Sequence, residues 1–375
     1  MATDVYQKLA RYLDDLPGGF PATATGVELR ILRRLFTPEE AELALKLSLL
    51  DEEARVIARR ARMPVEEAAR LLEQMAGKGL IYRAQPEGKP PRYMASQFVI
   101  GIWEFHVNSL DPGLVHDFNE YLPTLAAFDV WKKAPQLRTI PVGESIDAQA
   151  VALPYERAEE LVRGHSRIAV APCICRREQR MAGHGCDKPL ETCLVFGGAA
   201  DYYLRNGLAR VISRQEALAI LNLADESGLV LQPGNSKRAG NICTCCGCCC
   251  GVLRSMKRHP APASLFASPF VAAADPATCQ GCGTCLDRCQ MEALRLEDDK
   301  VILDLDRCIG CGLCVSTCPA GALRLMRKPE SEQPYIPRNS VEAAIRLGRA
   351  RGKMTVADMI GMLVRSGVDR LLAPK

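Results

Sequence analysis

No apolar leader is expected, because Asp4, Lys8, Arg11, Asp14 and Asp15 interrupt the first turns after Met1, where an h-region and a small-residue cleavage site would lie. No uncharged run reaches the ~18 residues that a membrane-spanning helix needs. Neither a Gly-x-Gly-x-x-Gly fingerprint after a strand nor a Gly-x-x-x-x-Gly-Lys-Ser/Thr loop is present, so the chain offers no visible nucleotide cradle of its own. The formal net charge of +4 over 375 residues is small and points to no polyanionic partner. These absences lead to the expectation of a soluble, cytoplasmic protein of two or three domains.

What the chain has in excess is cysteine, with 18 residues. In a reducing compartment such a chain binds metal rather than forming disulfide staples. Eight of the cysteines form two back-to-back Cys-x-x-Cys-x-x-Cys-x-x-x-Cys runs, Cys279-Cys282-Cys285-Cys289 and Cys308-Cys311-Cys314-Cys318-Pro319. A tight loop wraps three thiolates around one 4Fe–4S cubane, and the fourth cysteine of each run reaches the other cluster. The expected ligand sets are therefore Cys279, Cys282, Cys285 and Cys318 for one cluster, and Cys308, Cys311, Cys314 and Cys289 for the other. Gly281, Gly283, Gly310 and Gly312 let the backbone approach closely. Ala293-Leu294-Arg295-Leu296 recurs as Ala322-Leu323-Arg324-Leu325, so each half is expected to be a loop–helix–strand unit. Two zinc sites are the alternative that Cys-x-x-Cys pairs also allow. On these residues the segment 275–327 resembles the bacterial two-cluster ferredoxins, with Gln290 standing where a proline usually follows the fourth cysteine.

Residues 1–95 are helix-rich. Thr37-Pro38-Glu39-Glu40 reads as a helix start with Thr as N-cap and Pro at N1, and Met63-Pro64-Val65-Glu66-Glu67 as a second start. Lys78-Gly79-Leu80-Ile81 and the turn Gln85-Pro86-Glu87-Gly88-Lys89-Pro90-Pro91 then predict a hairpin, and the order resembles a winged helix. Its would-be recognition helix, 65–75, carries Glu66, Glu67 and Glu73 against Arg70, which favours an interaction module over a DNA reader. Residues 96–165 read as a mixed connector, 167–171 as a buried strand leading into Cys173, 255–275 as a linker, and 339–350 and 354–366 as tail helices about Gly352. Ser213 and Glu216 predict a capping box for a helix within 209–225.

Ten more cysteines lie upstream in two groups: Cys173, Cys175, Cys186 and Cys193, then Cys243, Cys245, Cys246, Cys248, Cys249 and Cys250. The first group suffices for one cubane. In the second, successive side chains diverge, so Cys248, Cys249 and Cys250 must serve at least two directions. The count allows two four-cysteine clusters with two thiols spare, or one larger cluster shared by both groups; zinc and a reactive dithiol are the other readings. Arg176 and Arg177 would offset cluster charge. His184 reads as a turn residue and Glu191 as a turn cap.

From Cys173-x-Cys175-Arg176 through Cys186-x-x-Pro189-x-Glu191-x-Cys193 to Asn241-x-Cys243-x-Cys245-Cys246-x-Cys248-Cys249-Cys250, the chain resembles a family of bacterial and archaeal multi-cluster ferredoxin-like proteins. That resemblance covers most of the chain and implies a winged-helix-like N-terminus, this central block and a terminal two-cluster ferredoxin. Thr244 stands where asparagine is common, which should alter hydrogen bonding to a sulfur.

The expected architecture is α+β and multidomain: a winged-helix-like domain at 1–95, a mixed α/β cysteine-rich domain at 96–258, a two-cluster ferredoxin domain at 259–330 and a helical tail at 331–375. The expected cofactors are two 4Fe–4S clusters in the ferredoxin domain and one or two further iron–sulfur clusters at the central ten cysteines. The expected role is an electron-transfer protein or subunit, rather than a stand-alone enzyme, working with a redox donor and acceptor or within a larger oxidoreductase complex. The alternatives are an oxidoreductase subunit with a catalytic central cluster and an iron–sulfur, redox-responsive winged-helix transcription regulator.

Overall fold

The computed structural model describes residues 4–145 and 152–374, so residues 146–151 of the expected connector lie outside the described residues. The chain is mixed helix and strand and separates into two compact units. Among the described residues no helix is long and apolar enough to cross a membrane.

The first unit comprises Met1–Leu125, Asp201–Leu208 and Ala344–Lys375. Thr37 caps the helix Pro38–Ala44 through a full capping box with Glu40. The helices Ala54–Ala61 and Val65–Gly77 follow, and strands β1 (Glu52–Glu53), β2 (Ile81–Ala84) and β3 (Arg92–Ala95) form an antiparallel sheet in the order β1-β3-β2. Ala68, Leu71, Leu72, Met75 and Ala76 supply the buried face of the second helix. Glu73 is exposed like Glu66 and Glu67, but it accepts from Arg83 at 2.7 Å and from Tyr93 at 2.8 Å, tying the helix to the hairpin.

The unit boundaries differ from the sequence expectation at 96–125 and 201–208, which fall in the first unit, at 126–343, where the cysteine-rich and ferredoxin segments share one unit, and at the tail. Residues 344–375 fold with 1–125, because the helix Val356–Leu372 sends Ser366 and Asp369 into a polar cluster. Glu52, with no exposed surface, accepts from Ser366 Oγ at 2.7 Å and from Arg60 at 2.9 Å, and Arg60 also pairs with Asp369 at 2.9 Å.

The second unit holds every cysteine. Its main sheet contains β4 (Ile168–Pro172), β5 (Glu191–Phe196), β6 (Arg210–Val211), β7 (Val230–Pro233) and β8 (Asn241–Cys245), all antiparallel in the order β6-β4-β5-β8-β7. The helix Arg214–Glu226 packs Ala217, Ile220, Leu221 and Ala224 into its core. Ser213 Oγ caps that helix at 3.0 Å, but Glu216 pairs with Arg210 instead of closing a capping box. The register sets Ala171 opposite Cys193 and Leu194 opposite Ile242, so the outgoing end of β4, the start of β5 and the end of β8 meet at one edge.

The terminal module pairs β9 (Phe270–Ala274) with β12 (Leu323–Arg327) and β10 (Leu294–Glu297) with β11 (Lys300–Leu303). Part of the expected linker is thus a strand, because the small residues 271–274 lie flat against β12. The two halves repeat the same device: Gly283 and Gly312, both left-handed, start the short helices Thr284–Arg288 and Leu313–Ser316. At Gly310, φ is +67° and a Cβ would collide with the Phe270 carbonyl, so glycine is required there by both conformation and space.

Candidate metal centres

The eight terminal cysteines fall into two sets that exchange their fourth members. Burial raises Cys285, and the like-charged neighbours that add to the shift include Cys318, Cys282 and Cys279. Burial likewise pushes Cys311 up to about 12 and Cys308 and Cys314 upward, and in each case Cys289 is among the facing thiols. Cys289, Cys308, Cys311 and Cys314 line one pocket with Gly310 and Gly312. Backbone N–H groups are aimed at sulfur: Ala272 at Cys308 (3.4 Å), Ala293 at Cys289 (3.2 Å) and Gly281 at Cys279 (3.5 Å). A sulfur-only donor set with N–H groups directed at the sulfurs fits 4Fe–4S clusters.

The ten central cysteines divide six and four, and each set draws on both sequence groups. Cys173, Cys175, Cys250, Cys245, Cys243 and Cys193 touch in that order, each through its side-chain sulfur. The sheet explains half of the belt. Cys243 and Cys245 are two apart on β8 and share a face, and the register brings Cys193 beside Cys243 on that same face. Cys173 ends β4 and begins the helix Ile174–Met181, which carries Cys175. The thiols alternate in character: hydrogen bonds from their neighbours lower Cys173, Cys250 and Cys243, while Cys175 and Cys245 are raised by the same bonds seen from the donor side. A bound metal would replace those shared protons. Asn241 Nδ2 also donates to Cys243 Sγ at 3.5 Å.

Cys186 leaves its sequence neighbours and joins Cys246, Cys248 and Cys249, the four sulfurs lying within 4.8 Å of one another. The fourth thiol of a single first-group cubane is therefore not beside Cys173, Cys175 and Cys193. The loop 246–250 closes through Cys250 N–H to the Cys246 carbonyl at 3.1 Å, which turns three of its thiols inward around one point.

Arg176 lies between the two sets with no exposed surface. It donates to the Thr244 carbonyl at 2.8 Å and to the hydroxyls of Thr244 and Thr192, which occupy the face of β8 and β5 opposite the thiols. Burial works to lower its pKa, but facing Cys173, Cys246 and Cys245 raises it overall. A fully buried guanidinium opposed by sulfur fits an anionic metal centre on either side. Thr244 accordingly serves Thr192, 2.6 Å away, and Arg176, where the sequence suggested a bond to sulfur. Glu191 is exposed and pairs with Arg210 at 2.7 Å instead of capping the turn, and His184 is exposed.

Sequence reasoning missed Gln290 as a connector. Its side-chain oxygen accepts the N–H of Gly247 at 2.7 Å, joining the residue after Cys289 to the residue between Cys246 and Cys248. The absence of proline at 290 was the available signal.

Residues 278–322 match the family described as a 4Fe-4S dicluster domain. No curated protein and no solved structure matches the chain. That match and the abundance of cysteine support an iron–sulfur, ferredoxin-like protein that carries 4Fe–4S clusters in an electron-transfer role.

Proposed function

We propose that this chain is an electron-transfer protein or subunit in which the terminal module exchanges electrons with a second redox centre at the six-thiol belt. Cys279, Cys282, Cys285 and Cys318 hold one cluster and Cys308, Cys311, Cys314 and Cys289 the other; Cys173, Cys175, Cys193, Cys243, Cys245 and Cys250 hold the central iron–sulfur centre. When bound there, such clusters supply one-electron chemistry. The observation that carries the reading is a shared core: Cys289 and Cys311 pack against the same buried apolar cluster that contains Cys245 and Cys250. Apolar packing shared by the two centres would keep water away from the reduced state. Arg176 supplies the buried positive charge beside the belt.

The anaerobically purified chain tests this. Iron and acid-labile sulfide should exceed the roughly eight irons that the terminal module alone accounts for. A chain shortened after about residue 258 should retain the excess. If the excess is lost in a truncated chain that still folds, or if the full chain stops at eight irons, the central redox centre is wrong.

A second reading, an oxidoreductase subunit, is favoured by a pocket of about 480 Å³ lined by Asp225, Glu226, Arg288, Ser316 and Thr317, the last of which precedes Cys318 in the chain. Arg288 pairs with Asp225 at 2.7 Å on its wall, giving a polar lining that a small molecule could meet. Turnover of a small redox substrate that is lost on blocking this pocket, with iron content unchanged, would select it. The first unit is read as a winged-helix-like docking module, supported by its helix, helix and hairpin order and by the exposed Glu66 and Glu67.

A further inference from the structure

The quartet Cys186, Cys246, Cys248 and Cys249 is too compact for a cubane. Cys186 Sγ lies 3.5 Å from Cys249 Sγ and 4.0 Å from Cys246 Sγ, and Cys248 and Cys249 are 3.8 Å apart. Four sulfurs held about 2.3 Å from one tetrahedral ion stand about 3.8 Å from each other, the edge of a regular tetrahedron. A four-iron core holds its thiolates on the order of 6 Å apart, because each sulfur lies outside its own iron at a cube corner. Among the described residues this is the only all-cysteine group drawn so tightly together; the eight thiols of the terminal module are not.

The loop chemistry agrees with the spacing. Cys246-Gly247-Cys248-Cys249 contains a Cys-x-x-Cys knuckle, from Cys246 to Cys249, inside one closed turn. Cys246 accepts the backbone N–H of Cys249, and Cys186 accepts that of Lys188, the outer hydrogen bonds that orient thiolates toward one ion. Gly247 allows this turn to sit against the backbone of Gln290: a Cβ there would come within 2.5 Å of the Gln290 carbonyl oxygen.

From these observations we infer that Cys186, Cys246, Cys248 and Cys249 bind a single tetrahedral Zn²⁺ that is separate from the iron–sulfur centres. A closed four-thiolate zinc site has no open position and no accessible redox change. Its role is mechanical: it fastens the helix-and-loop segment carrying Cys186 to the Cys246–Cys250 loop, whose Gly247 docks on Gln290. The six-thiol belt and the terminal module keep their own fourteen cysteines, so this assignment stands whether or not the electron-transfer reading does.

The test uses the full chain, produced with both iron and zinc available and purified anaerobically. Elemental analysis should find about one zinc per chain in addition to iron, and X-ray absorption at the zinc edge should show four sulfur neighbours at about 2.3 Å. Cys248→Ala, which alters the exposed member of the quartet, should lose the zinc and keep the iron and sulfide. If that variant fails to fold, the wild-type absorption spectrum decides alone. Wild-type protein that is full of iron but free of zinc, a zinc shell containing nitrogen or oxygen, or loss of iron rather than zinc in Cys248→Ala each overturns the assignment.

Discussion

Replacing Arg176 by Met removes a buried positive charge while keeping much of the side-chain volume. Two consequences follow, and they can be measured separately. The guanidinium makes well-formed hydrogen bonds to the Thr244 carbonyl and the Thr192 hydroxyl. At about 1.5–3 kcal/mol for each charge-assisted bond, their loss costs about 3–6 kcal/mol and leaves both oxygens buried without that donor. For a unit of this size the thermal midpoint should fall on the order of 10 °C. The charge itself acts on the central centre. For an assumed separation of about 6 Å and an effective dielectric constant of about 20, a unit charge contributes about 3 kcal/mol. That corresponds to on the order of 100 mV for one electron. The potential should fall, since removing a cation disfavours the added electron. Arg176→Lys keeps the charge and loses the planar fork, so it should be destabilised with a nearly native potential. The assay is a redox titration monitored by electron paramagnetic resonance on fractions matched for iron. An Arg176→Met protein that folds, holds native iron and keeps a native central potential would refute the argument that this guanidinium is the counter-charge of a redox centre.

Further expected outcomes concern the other elements. Cys318→Ala should disturb the cluster held by Cys279, Cys282 and Cys285, and Cys289→Ala the cluster held by Cys308, Cys311 and Cys314; resonance spectra showing the reverse pairing would disprove crossed ligation. Burial would push Glu52 up, but hydrogen bonds from Arg60, Ser366 and Ser48 together with the Arg60 charge bring it below the ordinary 4.5. Because its folded value is depressed, its contribution is complete above 4.5 and is lost as pH falls through the lower folded value. Arg60→Ala should strand the Glu52 carboxylate and cost about 3–5 kcal/mol in urea unfolding at neutral pH, with much of the loss recovered in acid once Glu52 is protonated. An equal loss at both pH values would contradict this. Duplex DNA should bind weakly and without sequence preference, because exposed Glu66 and Glu67 repel phosphate; a gel shift showing sub-micromolar, sequence-selective binding near physiological salt would reverse that view.

Local signals carried a large part of this structure. The doubled cysteine spacing, the repeated Ala-Leu-Arg-Leu and the Thr37 capping box each act within a few residues, and the corresponding loops, strands and helix are present. The apolar run 167–171 does form the strand that feeds Cys173. What the sequence hid was set by distant pairing. Cys186 is near Cys193 in the chain, yet it joins Cys246, Cys248 and Cys249, because β5 and β8 pair antiparallel and place the two groups at one sheet edge. Arg176 read as one of two arginines beside a thiol, and only its burial between two thiol sets distinguishes it. The alanine-rich stretch before Cys279 looked like linker; pairing with β12 and the Ala272 N–H to Cys308 make it a wall of the module. Packing of 344–375 with the N-terminal unit rests on Ser366 and Asp369 meeting Glu52 and Arg60 more than 300 residues away, a contact that no local pattern announces.

Electron exchange between the terminal module and the belt is most directly tested by freeze-quench electron paramagnetic resonance of the anaerobic full chain after a sub-stoichiometric pulse of reductant. The account predicts signals from the terminal clusters that decay as a distinct central signal grows, and interruption of that growth in Cys289→Ala protein that retains its central iron. Terminal signals that persist unchanged beside an oxidised, iron-loaded central site would contradict it.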